Sequence, residues 1–256
     1  MSDLPREIRR VACQLRRLTL DCLSGQRGKM VVADQPPTLQ ASPFPVRIRL
    51  EQPILPTDYV EAKIHNIEIA RCRLENVPIP PAAIFSFWRI VGRPSRSRGF
   101  QAGRSLLGGQ LRPDYGGGLC QLSGMLYHLS LLAGLRILER HPHSRDIYDD
   151  TSRFAPLGSD ATVAFGFKDL RVENNLPHPI CFRVSISREK LECILCSPAI
   201  VKLGIIEFVK TAELDGVRVV ETRRLVETGS EILCTSSYRS LQTPTCTHEP
   251  NPSKGV

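Results

Sequence analysis

The sequence predicts an α+β protein in which a central helix, entered through a glycine turn and a cysteine, packs on a mainly antiparallel sheet. Three observations carry this. Gly116, Gly117 and Gly118 run into Leu119 and Cys120, and Leu122, Met125, Leu126, Leu129, Leu132 and Ala133 then recur at helical spacing. Tyr59, Val60, Ala62, Ile64, Ile67, Ala70 and Leu74 keep the same period over a second stretch. From residue 161 the apolar residues instead fall in short runs separated by turn residues, the pattern of a strand meander.

The chain has 256 residues, 41% apolar and 23% charged, an ordinary globular composition with enough length for a sizeable core. No stretch is apolar for long enough to cross a membrane. Gln121, Ser123, His128 and Ser130 interrupt the longest. Arg6, Arg9, Arg10, Arg16 and Arg17 stand where a secretory signal would be apolar. A cytoplasmic location, with at most a peripheral seat on a membrane, is therefore expected. Nine cysteines at irregular spacing read as reduced thiols rather than a disulfide framework. The formal net charge of +8 favours anionic partners.

In chain order, Pro5 suits a first helical turn, and Ile8, Val11, Ala12, Leu15, Leu18 and Cys22 then share one helical face opposite the arginines. Such a helix over 5–22 either lies on an anionic membrane or docks its apolar face on its own domain. The second is the commoner use and the preferred expectation. Prolines 36, 37, 43, 45, 53 and 56 make residues 24–56 a loop-rich arm with one short strand, Val46 to Leu50. Residues 84–91, with Trp88 inside them, read as a buried strand. Arg89, Arg93, Arg96, Arg98, Arg104 and Arg112 then crowd a segment read as loops, suited to carboxylates on a peptide. Nucleic acid is disfavoured, since few aromatics are interleaved for base stacking. Strands are expected at 135–138, 161–167, 180–186 and 191–196, and three more between 203 and 235 with a hairpin turn at Asp215-Gly216. The tail from about 241 reads as disordered.

A cysteine at a helix start, behind glycines, has the setting of a reactive thiolate. Free amides and the helix dipole lower its pKa and can also stabilise an oxyanion. Cys120 is thus the candidate nucleophile, with Gly117, Gly118 and Gln121 around it. His141 and His143 are candidate bases, Asp160 the better-placed carboxylate to orient one of them, and Asp169 the second. Arg98, Arg104 and Arg140 are candidate substrate-binding cations. The order Cys, His, Asp over a helix followed by strands is that of papain-like and transglutaminase-like enzymes, by analogy alone. A metal site of His141, His143 and Asp160 lacks defined further ligands. The CxxC pair Cys193 and Cys196 lies in an apolar strand pattern where packing is the default. No metal and no cofactor are expected.

The blocks IFSFWRIVG (84–92), YGGGLCQLSGMLYHLSLLAGLRILERHPHS (115–144), GSDATVAFGFKDLRVEN (158–174) and the NLPHPICFRVSI that follows resemble the VanW family, over about residues 60 to 195. The resemblance implies a link to the bacterial cell wall. Some members are regarded as L,D-transpeptidases that cross-link peptidoglycan stem peptides through a cysteine. Carried over, Cys120 would attack the carbonyl of a diaminopimelate-type L-centre, with His141 or His143 as base. The transpeptidase-like members carry an N-terminal membrane anchor; this chain resembles the short, stand-alone form.

The organisation expected is a basic helix and proline-rich arm (1–56), a core domain (57–197), a small β extension (198–240) and a disordered tail (241–256). The expected function is a cysteine-dependent acyl transferase or hydrolase acting on a peptidoglycan precursor or stem peptide. The alternative is a non-catalytic accessory of the cell-wall or glycopeptide-resistance pathway.

Overall fold

A computed structural model describes residues 5–32, 44–75, 77–107, 110–146 and 153–240. The expected disordered tail, residues 33–43 of the proline-rich arm and residues 147–152 lie outside the described residues. The architecture is α+β, with mainly antiparallel sheets and few helices. The elements in chain order are α1 (Arg6–Leu23), α2 (Gln26–Lys29), β1 (Val46–Pro53), α3 (Val60–Leu74), β2 (Ile84–Ser86), α4 (Phe87–Val91), β3 (Ala102–Leu107), β4 (Gln110–Tyr115), α5 (Leu119–Leu132), β5 (Arg136–Glu139), β6 (Arg145–Asp146), β7 (Arg171–Glu173), β8 (Cys181–Ile186), β9 (Lys190–Ser197), β10 (Ile206–Leu214), β11 (Val217–Val226) and β12 (Gly229–Ser240).

The core forms where α3 and α5 cover the sheet β1-β9-β8. Ten of the 14 residues of α5 are buried, so it is enclosed on nearly every side. Its Met125 lies 4.0 Å from the Cys193 sulfur of β9. Gly118, at φ +96°, opens the helix, and Gly134, at φ +70°, follows its end. β1 pairs with β9 over eight residues, from Val46 opposite Ser197 to Pro53 opposite Lys190. Residues 46–53 therefore belong to the central sheet rather than to an arm, and a boundary before residue 57 would cut through it.

Three expected elements differ. Residues 84–91 are not one strand. Ser86 ends β2, its Oγ accepts the Arg89 N–H at 3.3 Å, and Phe87–Val91 turn into α4. The arginine-rich segment is not only loops, because β3 and β4 form a hairpin within it. Residues 161–167 form no strand beyond a single bridge, Ala164 with Lys168. Their polar groups go to neighbours instead: Thr162 N–H to His141 O at 2.7 Å, and Ala161 O to the Ser123 hydroxyl at 2.6 Å.

β10, β11 and β12 form an antiparallel meander. Asp215 and Gly216 both have positive φ at its first turn, as an Asp-Gly hairpin requires. This unit is joined to the rest of the molecule, since β12 pairs in parallel with β6 just after His143. The CxxC spacing puts Cys193 and Cys196 on opposite faces of β9. Cys196 instead lies opposite Cys181 of β8.

α1 corrects the preferred expectation for its orientation. It docks through its polar face: Arg17 pairs with Glu139 and Asp21 with Arg171. The apolar face points outward, with Leu15 59% and Ile8 52% exposed. Among the described residues no helix is long and apolar enough to cross a membrane.

Candidate active site

A cleft of about 740 Å³ opens over the N-terminus of α5, a size suited to a small ligand or a peptide segment. Cys120, His143 and Asp160 all line it. The first shaping element is the glycine turn. A Cβ on Gly118 would come within 2.6 Å of Lys63 Cγ and one on Gly116 within 2.9 Å of Pro94 Cβ, and both glycines have positive φ. Asn66, fully buried on α3, holds the turn from below: its Nδ2 donates to Gly117 O at 3.1 Å and to Gln101 O at 3.0 Å.

Asp160 comes to the cysteine because residues 159–161 lie along α5 one turn after Cys120. Gly124 has no side chain there, and a Cβ would already touch Asp160 Cα and Ala161 N at 3.5 Å. The Ser123 hydroxyl ties Ala161 in place. His143 follows β5 and an irregular stretch containing Pro142, and is anchored twice. Its backbone N–H donates to Asp160 Oδ2 at 2.7 Å, and its ring Nδ1 lies 2.6 Å from the same oxygen. The Cys120 thiol donates to the Val163 carbonyl at 3.6 Å, and it is coupled electrostatically to the His143 imidazole across the cleft.

The second carboxylate oxygen, Asp160 Oδ1, accepts from Arg140 Nη2 at 2.9 Å and from the Tyr238 hydroxyl at 2.6 Å. Four donors thus fill the acceptor sites of one carboxylate. Arg140 has a side chain only 5% exposed. It also donates to Asp160 O and Gly158 O at 2.7 and 3.0 Å, hydrogen-bonds Ser236, and stacks over the Tyr127 ring at 5.0 Å.

Electrostatics follow from this geometry. Burial pushes the Asp160 carboxyl up, but the His143, Arg140 and Tyr238 contacts outweigh it and hold the group below the usual carboxylate range. Burial alone would lower the His143 pKa. The hydrogen bonds and charges of Asp160 and Cys120 instead push it up to about 10. For Cys120, burial raises the thiol, and the hydrogen bond and charge of His143 with backbone hydrogen bonding at Val163 bring it below its ordinary value. Both shifts favour the ion pair, the imidazole being drawn toward its protonated form and the thiol toward the thiolate. Among the described residues the Cys120 N–H, in the first turn of α5, takes no backbone acceptor and adds to the positive field there.

The structure separates the other candidates. His141 is turned away from the thiol and its Nε2 lies 2.8 Å from Glu139 Oε1. Asp169 is buried against Ser86 and the Trp88 amide, on the small sheet. Gly117, Gly118 and Gln121 line the cleft, but the Gln121 amide nitrogen is committed to Gln52 Oε1 and Pro53 O of β1. Arg98 is outside the cleft lining, with its guanidinium against Gly92. Arg104 is on β3, its side chain outside the described residues. Arg140 faces inward and orients Asp160 rather than meeting a ligand. Among the described residues no group of three or more His, Cys, Asp or Glu side chains is placed to hold a metal ion.

Several contributors were missed. Tyr238 comes from a polar stretch, TSSYRS, where nothing marks a tyrosine that ends 1% exposed. Asn66 sits within an apolar helical period, and a polar residue on that face was the available signal. Lys63 was hidden in the same helix.

Taken together, fold and site define an α+β protein with a cysteine–histidine–aspartate cluster at a helix N-terminus in an open cleft. The chain belongs to the VanW family, whose model, described as VanW like protein, matches residues 62–196, just over half of its length. A Bacillus subtilis (strain 168) relative, described as uncharacterized protein YoaR, is 33% identical over 123 residues, covering 48% of this chain and 39% of that protein. The vancomycin B-type resistance protein VanW of Enterococcus faecalis (strain ATCC 700802 / V583) is 31% identical over 133 residues, 52% of this chain and 48% of that protein. The chain therefore covers less than half the length of either relative. No solved structure matches it, so the papain and transglutaminase comparison rests on residue order alone.

Proposed function

We propose that this protein is a cysteine-dependent acyl transferase or hydrolase acting on peptidoglycan-type peptides. The observation that carries the reading is the Asp160–His143–Cys120 series, open to the cleft at one end and locked by Arg140 and Tyr238 at the other. The Cys120 thiolate attacks a peptide carbonyl carbon, and the oxyanion forms beside the Cys120 amide in the first turn of α5. As the carbon–nitrogen bond breaks, the His143 imidazolium gives its proton to the departing amine, leaving a thioester on Cys120. An incoming amine or water returns a proton to His143 as it displaces the thiolate. Family membership supports the cell wall as the setting, because one relative carries vancomycin resistance in its name.

The test is incubation with tetrapeptide and pentapeptide stems followed by mass spectrometry of the intact protein. An adduct on Cys120 that loses one terminal amino acid, absent in Cys120→Ala, is the expected result. No adduct and no turnover with any stem peptide would favour the accessory role.

The outward apolar face of α1 supports a peripheral seat on an anionic membrane. Arg16, exposed along the same helix, and the net charge of +8 fit that surface.

A further inference from the structure

We infer that Lys63 is a specificity-determining residue that reads a carboxylate of the acyl donor next to the attacked carbonyl. The inference rests on the cysteine chemistry proposed above and adds to it a defined anion subsite. Lys63 lies on α3 and lines the cleft with Gln121 and the glycine turn. Its stem is fixed, because Cγ sits where a Gly118 side chain would be, two residues before Cys120. Asn66, one turn further along α3, locks the helix to the Gly117 carbonyl.

Among the described residues no hydrogen bond or ion pair holds the ammonium group, and burial is the cause of its pKa falling to about 8. The acids that line the same cleft have other partners: Glu7 pairs with Arg10, Asp146 with Arg153 and Arg218, Asp114 accepts the Tyr115 amide, and Asp160 takes four donors. The N-terminus of α5 lies on the same cleft. A half-buried cation without a partner is costly unless a ligand brings the missing charge. An anion held there sits beside the carbonyl that Cys120 attacks. The C-terminal carboxylate of a peptide losing its last residue meets that requirement, whereas an internal peptide bond has no charge to offer.

The first measurement needs no peptide. Cys120 alkylation by iodoacetate, which carries a carboxylate next to its reactive carbon, is compared with alkylation by neutral iodoacetamide. The iodoacetate-to-iodoacetamide rate ratio should fall about tenfold in Lys63→Met and Lys63→Gln, as loss of a charge-assisted contact predicts, and be kept in Lys63→Arg. The iodoacetamide rate in each variant reports that the site is intact. An unchanged ratio in Lys63→Met overturns the proposal. So does a lower melting temperature in both neutral variants, which would make Lys63 a packing residue. The second measurement compares stem peptides ending in a free acid or an amide. Wild type should favour the acid and Lys63→Met should lose that preference. If neither peptide is turned over while the alkylation ratio still falls, the acyl-transfer reading fails and the anion subsite stands.

Discussion

At the scale of single residues, the site turns on how Asp160 is held. Replacing it with asparagine leaves the volume but removes the charge that keeps His143 protonated. In Asp160→Asn the His143 pKa should fall from about 10 toward its ordinary 6.5, and the Cys120 pKa should rise. The pH profile of Cys120 alkylation by iodoacetamide should then move to higher pH than in wild type, whose thiol lies below its ordinary 9.0. Any peptide activity should drop by about 10²–10⁴-fold, the usual worth of acid–base assistance. Tyr238→Phe removes one of four donors to a buried carboxylate, a cost of about 1.5–3 kcal/mol of stability measurable by denaturant unfolding. Cys120 was identifiable in advance by its neighbours along the chain. Tyr238 was not, because its partner lies 78 positions away.

At the scale of elements, the glycine turn and α1 make separate demands. Gly118 combines a left-handed backbone with close contact to the Lys63 stem and carbonyl. Gly118→Ala should cost at least about 1–2 kcal/mol from the backbone alone, seen as a lower denaturation midpoint, and should also displace the α5 N-terminus. α1 behaves differently because its inner face is ionic. Replacing Leu15 and Leu18 with serine should leave the melting temperature nearly unchanged and reduce flotation with anionic liposomes. Equal flotation of variant and wild type would remove the membrane seat. The helix itself was legible from its period, but its orientation was not. Periodicity shows that two faces differ; which one docks depends on what the rest of the fold presents, here Glu139 and Arg171.

At the scale of the whole molecule, the site draws on segments from across the chain. β1 completes the sheet under α5, and β12 supplies Tyr238 and Ser236 around Arg140. A fragment limited to residues 57–197 should therefore melt lower than the full chain. Its Cys120 alkylation profile should shift to higher pH, because the Asp160 support is incomplete. The acid limb of stability follows from the same carboxylates. Glu139 is held down to about 2 by His141 and Arg17 against the opposing effect of burial, and Asp160 lies below its ordinary 3.8. Groups with depressed folded pKa values stabilise fully above their unfolded values and lose that contribution as pH falls. Melting temperature should thus decline from about pH 4.5 toward pH 2, and Glu139→Gln should flatten part of that decline.

The sequence by itself determined the α+β class, the glycine-turn entry to the central helix, the strands with clean alternation and the family. These features depend on short-range period and turn chemistry, which are written contiguously in the chain. It also put Cys120, both histidines and Asp160 on one short list. The packing of distant segments puts His143 on Asp160 and His141 on Glu139, turns Arg140 inward, and makes residues 161–167 give up strand pairing to bind α5. Those outcomes depend on which side chains fill the space between segments distant in sequence, and no local pattern carries that information.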